Sequence, residues 1–289
     1  MNPNDIASSP SQKLAQRYRN GLLLTAILVV GTVALLILFQ YSSRLETERL
    51  LIHELARSRA QETEESLSGI TDRIQELSLI AHDVWAAPEK FPKSPLFDQI
   101  GYKSESEFFS LELGPSGSQI KELGGLHGIG RFPEFSEPRK QRLNAALYLL
   151  PYLRSAVLTT PSLNYIYIQG KDLPWATIYP PIMEDEMNGI AGSPQEFGTA
   201  AYEASFWVQA LPTSNPERRP IWTDYYADFI STGELFVSYV IPIYVKNEFH
   251  GIAAADINLG FLFPFMRQSP YESAQLMVVN ETRQVLAHT

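Results

Sequence analysis

The chain contains no cysteine among its 289 residues. That absence excludes a disulfide framework and any thiolate metal site. Positive charge is also scarce. The formal net charge is −9 and the sequence pI is about 5.1, and no basic stripe interleaved with aromatics occurs, so nucleic acid is excluded as an expected partner. The signatures of common catalytic centres are missing too. The five histidines, His53, His82, His127, His250 and His288, stand in neither His-x-x-x-His nor His-Glu-x-x-His spacing, which argues against a zinc enzyme. No Gly-x-Ser-x-Gly elbow is present. The run Gly114–Gly130 holds six glycines but no Gly-Lys-Ser/Thr follows it, so it reads as turns around a short strand rather than a phosphate loop. Acidic clusters such as Glu184-Asp185-Glu186 read as solvated surface. No cofactor is expected.

What the chain does have begins with Leu22–Phe39 (LLLTAILVVGTVALLILF), an uncharged and almost wholly apolar run. At about 1.5 Å per residue it covers most of a hydrocarbon core about 30 Å thick. It is expected to be a transmembrane helix (residues 21–40) behind a polar tail (1–20). A cleavable signal peptide is the alternative, but the run exceeds an h-region and no Ala-x-Ala site follows. Charge does not orient it. Lys13, Arg17, Arg19 and the amino terminus on one side nearly balance Arg44, Arg49, Arg57 and Arg59 on the other.

Beyond the span, residues 44–81 hold no proline and one glycine. Leu67, Ile70, Ile74, Leu77 and Ala81 recur at spacings of three and four, the stripe of a long amphipathic helix (41–85). Its expected role is to cover the domain's own sheet. Its membrane-near half is expected to pair with a second subunit as a homodimer. Pro88–Pro95 ends the helix. Phe108–Leu113 is expected to be the first strand. Leu143–Leu158 is helical, with Pro151 starting a second helix, and Tyr165–Ile168 is a strand with alternating faces. Met183–Gly198 and Pro212–Pro220 read as surface loops.

The segment Trp222–Leu259 is the most informative. Leu235–Tyr244 is rich in β-branched and aromatic residues, Gly251–Ile257 is small and apolar, and the polar link Lys246-Asn247-Glu248 suits a hairpin. Aromatic residues crowd its entry beside Asp228, and Asp256 closes an otherwise apolar strand. Taken alone, Asp228 reads as a turn residue and Asp256 as the N-cap of a following helix. These three strands are expected to share one antiparallel sheet with the long helix on one face. A short helix at Asn258–Met266 and strands at Ala274–Val279 and Val285–His288 should follow.

In order and spacing these features resemble the double Cache sensor family, the PAS-like extracytoplasmic input domain of bacterial transmembrane receptors. The matching text is Tyr226-Ala-Asp228, Thr232-Gly233, Ser238 to Pro242, and Gly251 to Asp256. Upstream, Leu147–Ile168 is similar to the family's helix, proline turn and first pocket strand. Tyr202–Ala210 is similar to its Arg-x-Trp-Tyr-x-x-Ala stretch. The resemblance implies an α+β fold with a membrane-distal lobe over residues 86–265 and the start of a truncated membrane-proximal lobe at 266–289. It implies a periplasmic domain on an inner-membrane anchor, with a kinase, cyclase or chemotaxis output beyond residue 289, so that the chain reads as the front of a longer receptor. It implies a small ligand held by Tyr226, Asp228 and Asp256, with Trp207, Tyr167 and Trp175 as aromatic neighbours. The Tyr and two Asp of similar amino-acid sensors hold an ammonium group and their Arg holds the carboxylate. This chain has Ser205 where that Arg would stand, two residues before Trp207. An amine without an α-carboxylate is therefore expected to suit the site better than a free amino acid. The alternatives are a membrane-anchored binding or assembly protein without signalling output and, as the weakest, an anchored hydrolase.

Overall fold

The computed structural model describes residues 10–171, 175–227, 235–262, 277–279, 283 and 285–288. The chain divides into two compact units, Met1–Ser58 and Arg59–Thr289. Helix α1, Pro10–Ala86, contributes to both.

In the first unit the apolar run of α1 buries none of its residues against protein. Leu22 is 73% exposed and Phe39 71%. Its two hydroxyls are satisfied within the helix. Thr25 Oγ1 donates to the Gly21 carbonyl and Thr32 Oγ1 to the Leu28 carbonyl, both at 2.9 Å. A segment in hydrocarbon must satisfy its polar groups in this way.

The second unit is an α+β sheet domain. In chain order it contains β1 (Gly101–Lys103), β2 (Phe108–Ser110), α2 (Ile120–Leu123), β3 (Gly125–Ile129), α3 (Glu137–Ala146), α4 (Leu150–Thr159), β4 (Leu163–Gly170) and β5 (Trp175–Tyr179). Then come α5 (Glu184–Ala191), α6 (Pro194–Glu203), α7 (Ser205–Ala210), β6 (Ile221–Trp222), β7 (Tyr226–Ala227), β8 (Leu235–Val245) and β9 (Glu248–Asn258). Among the described residues these nine strands form one antiparallel sheet, ordered β1-β2-β3-β5-β4-β9-β8-β6, with β7 also on β8. The strands around Tyr165, Leu235 and Gly251 are thus neighbours in one sheet, as expected from their alternation. The first strand is β1, one element earlier than Phe108–Leu113. Strands β10 (Met277–Val279) and β11 (Val285–His288) pair only with each other among the described residues.

Both faces of the central strands are covered. On one face Ile70, Ile74, Leu77 and Ala81 of α1 join Leu143 of α3 and Leu150 and Leu153 of α4 over Ile166, Ile168, Ala253, Ala255 and Ile241. On the other, Met187 of α5 and Phe206 and Trp207 of α7 cover Tyr167, Val240, Ile252 and Ala254. A strand buried on both sides reads as a continuous apolar run, and this explains the string of small residues in β9. At the β8–β9 hairpin Lys246 and Asn247 take φ of 49° and 68°, the left-handed pair of a type I′ turn. Gly251, at φ +145°, sits beside a register shift; a Cβ there would meet the Gln169 carbonyl oxygen.

Two expectations are corrected here. Met183–Gly198 is not a loop but contains α5 and the start of α6. The acidic triplet Glu184-Asp185-Glu186 forms the first turn of α5, where the helix dipole favours negative charge. The Glu184 N–H donates to Glu112 Oε2 at 2.8 Å, and Ser193 caps α6 through the Glu196 N–H. The second correction concerns Asp256, which lies inside β9, two residues before the strand's end. The following turn, a 3-10 helix at Leu259–Leu262, is capped by Asn258, whose Oδ1 accepts from the Gly260 N–H at 2.7 Å. Residues 263–266 of the expected helix lie outside the described residues.

Because Ile74 is fully buried between α1 and the sheet, Ile74→Ala should lower the unfolding free energy by about 2–5 kcal/mol. The exposed neighbour substitution Gln75→Ala should change it by less than about 0.5 kcal/mol. Thermal or denaturant unfolding of the two variants checks this.

Candidate functional site

The sheet and the helical layer α5–α7 enclose a cavity of about 180 Å³. Its floor is the face of β3, β5, β4 and β9 that carries Ile129, Ile178, Tyr165 and Tyr167. Its roof comes from α5 and α6 through Ile190, Phe197, Ala201 and Tyr202, and from Phe206 of α7. A cavity of about 150 Å³ holds a molecule the size of benzene, so this one suits a ligand of roughly six to ten non-hydrogen atoms.

Polar groups gather where β4, β9 and β8 run side by side. Asp256 of β9 lies directly across from Tyr165 of β4 and from Ser238 of β8. Its Oδ1 accepts from Ser238 Oγ at 2.7 Å and from Tyr167 Oη at 3.2 Å. Tyr226 Oη lies 2.7 Å from Ser238 Oγ. With the serine proton directed at the carboxylate, Tyr226 donates to Ser238, and these two hydroxyls form a chain ending on Asp256, to which Tyr167 donates separately. Ser238 is fully buried and fixed by a second contact, its N–H donating to Thr223 Oγ1 at 2.9 Å. Burial and the neighbouring Asp256 carboxylate push the Tyr167 hydroxyl well above the ordinary tyrosine range, so it remains a donor to that carboxylate.

The expected site residues divide accordingly. Tyr226, Asp256 and Tyr167 come together at one end of the cavity and line it. Trp175 borders the cavity, and its indole packs edge-to-face on Trp85 of α1 at 6.0 Å. Gly170 leaves room for that indole, since a Cβ there would strike the ring. Trp207 is buried but is absent from the lining; it packs on Tyr202 at 4.4 Å and on Phe249 at 5.7 Å. Ser205 is exposed at the start of α7 and accepts from Gln209 Nε2 at 2.6 Å. Asp228 and Thr232-Gly233 lie outside the described residues. No lysine or arginine lines the cavity among the described residues.

Sequence reasoning did not single out Ser238 as a polar link, nor His127 and Gln169 at the other end of the cavity. Ser238 had one signal, its register opposite Asp256. His127 and Gln169 are lone polar residues in apolar strands, and only the strand register places them on the cavity face.

No protein-family model matches the chain, and no curated protein matches it. Among solved structures the chain is similar to ligand-binding domains of bacterial receptors. The Pseudomonas aeruginosa amino-acid chemoreceptor PctB, in complex with L-Gln, aligns with 15% identity over 81% of this chain and 65% of that one, with a TM-score of 0.41. The P. aeruginosa amino-acid chemoreceptor PctC, in complex with GABA, aligns with 19% identity over 50% and 56%, with a TM-score of 0.36. The sensory domain of the Campylobacter jejuni chemoreceptor Tlp3, with isoleucine bound, aligns with 13% identity over 80% and 73%, with a TM-score of 0.35. The chain thus spans 56% and 65% of the lengths of the two P. aeruginosa domains.

Burial lowers the His127 pKa from 6.5 to about 4. Its Nδ1 is fully enclosed, although the residue as a whole keeps some exposed surface. Between these values the unfolded chain binds a proton that the folded chain refuses. The stability contribution of neutral His127 is therefore complete above pH 6.5 and is lost as pH falls towards 4. The loss should reach about 3 kcal/mol. Denaturant titrations across that range should show it in the wild type, and His127→Phe should flatten that part of the profile.

Proposed function

We propose that this chain is the ligand-sensing input region of a membrane receptor, and that its cavity binds a small amine. The observation that carries the reading is the Tyr226–Ser238–Asp256–Tyr167 network at one end of an otherwise apolar cavity. A partly buried carboxylate carries a desolvation cost that hydrogen-bond donors and a cation offset. The hydroxyls of Tyr167 and Ser238 orient Asp256. An ammonium beside it would add charge-assisted hydrogen bonds and lie against the faces of Tyr165 and Tyr167. Asp228 is proposed as the second carboxylate of the same grip. Trp207 supports the roof by packing on Tyr202, and Trp175 fixes the sheet edge of the cavity through α1. With Ser205 exposed and no cationic side chain on the described lining, a ligand α-carboxylate has no bidentate clamp.

In this reading the apolar run of α1 anchors the protein in a bacterial inner membrane with the sheet domain outside. The long helix couples ligand occupancy to a second subunit, and the ligand biases the receptor by its differential affinity for two packings of helix and sheet. The reading assigns no chemistry to the chain itself.

Calorimetric titration of the full chain in detergent micelles with n-butylamine should give a saturable isotherm. Asp256→Asn should weaken it about 10- to 100-fold, the value of one or two charge-assisted hydrogen bonds. Asn258→Ala should lower stability by about 1 kcal/mol through the lost cap and leave affinity intact. Tight binding of free amino acids with no binding of amines would overturn the amine assignment.

A further inference from the structure

We infer that the cavity has a second polar pole, made by Gln169 and His127, which selects amines carrying a neutral amide at their far end. This rests on the amine reading above and extends it to the other end of the same ligand.

The strand register places the two side chains together. Gln169 of β4 pairs with Ala176 of β5, which in turn pairs with His127 of β3. Directly opposed residues of antiparallel strands project from the same face, so all three stand on the cavity floor. The middle position is an alanine, whose methyl leaves the space between the two polar side chains open. Gln169 is only 3% exposed and its Nε2 has no hydrogen-bond partner; the enclosed Nδ1 of His127 has none either. Both residues line the cavity. Buried polar atoms of this kind normally carry partners, because leaving one unmet is costly.

The chemistry that completes this pole is narrow. Burial keeps His127 neutral at physiological pH, and no lysine or arginine lines the cavity among the described residues, so a carboxylate finds no countercharge there. A neutral amide supplies a carbonyl to accept from Gln169 and an N–H to face the imidazole. The two poles are separated along β4 by the step from Tyr165, opposite Asp256, to Gln169, about 13 Å at 3.3 Å per residue. An extended ligand is therefore required, with methylenes crossing the apolar middle beneath Phe197 and Phe206.

The test compares N-acetylputrescine and N-acetylcadaverine with n-heptylamine, an alkylamine of comparable length, by calorimetry on the full chain in micelles. The N-acetylated amines should bind at least about 10-fold more tightly. Gln169→Leu and His127→Phe should each remove that advantage without weakening n-heptylamine, whose apolar end gains from either change. Equal affinities in the wild type would overturn the second pole. A separate arm needs no amine: N-butylacetamide is titrated while ring-labelled histidine is followed by NMR, with His127→Phe assigning the resonance. A saturable shift of the His127 signal, lost in Gln169→Leu, supports the pole even if every amine fails, in which case the amine reading alone falls. An unmoved His127 signal with both N-butylacetamide and the N-acetylated amines overturns the inference.

Discussion

The constraint on which this domain turns is a carboxylate set in a strand covered on both faces. The segment Gly251–Ile257 of β9 is built of small and apolar residues because α1, α3 and α4 press on one side and α5–α7 on the other. Into that strand the sequence places Asp256. Its charge is tolerable only where donors converge, and the neighbouring strands supply them at matched register, Ser238 from β8 and Tyr167 from β4. The same register that completes the sheet therefore completes the polar site. A one-residue slip of either neighbour would turn its hydroxyl to the helix-covered face and leave the carboxylate without it.

The cavity follows from how the second face is covered. α1 lies on its side of the sheet with close-packed Ile70, Ile74 and Leu77. The short helices α5–α7 instead form a roof that stands off the floor between Ile190 and Phe206, leaving room for a small molecule. One face of the sheet is thus close-packed, and the other carries the cavity. Asp256 and the α1 packing lie on opposite sides of the same strands, so in the proposed reading occupancy of the cavity would reach the long helix through β4 and β9.

Much of this was legible in the chain. The α1 stripe from Leu67 to Ala81 and the β-branched and aromatic runs of β4 and β8 are periodic or compositional signals, and each lies where expected. Pro151 sits in the first turn of α4, the position where its missing N–H costs nothing. The roof was not legible, because an acidic start and three interspersed glycines look like a loop until tertiary contacts favour the helix. The Ser193-Pro194-Gln195-Glu196 sequence carried the one local hint, an N-cap serine followed by a proline and a glutamate. Asp256 also shows the limit of local rules. Its position two residues before Asn258 fits a cap, and only the length of β9 reveals that the asparagine takes that role. His127 and Gln169 gave no signal at all, since a single polar residue in a strand declares its face only once its partners are known.

Where a bound amine puts its nitrogen decides whether Asp256 anchors the ligand. A crystal structure of the protein soaked with a small alkylamine answers this directly. The ammonium nitrogen is expected within hydrogen-bonding distance of the Asp256 carboxylate, at about 2.7–3.2 Å, with the alkyl chain running beneath α6. An amine bound elsewhere, or with its nitrogen at the Gln169 end of the cavity, would contradict that placement.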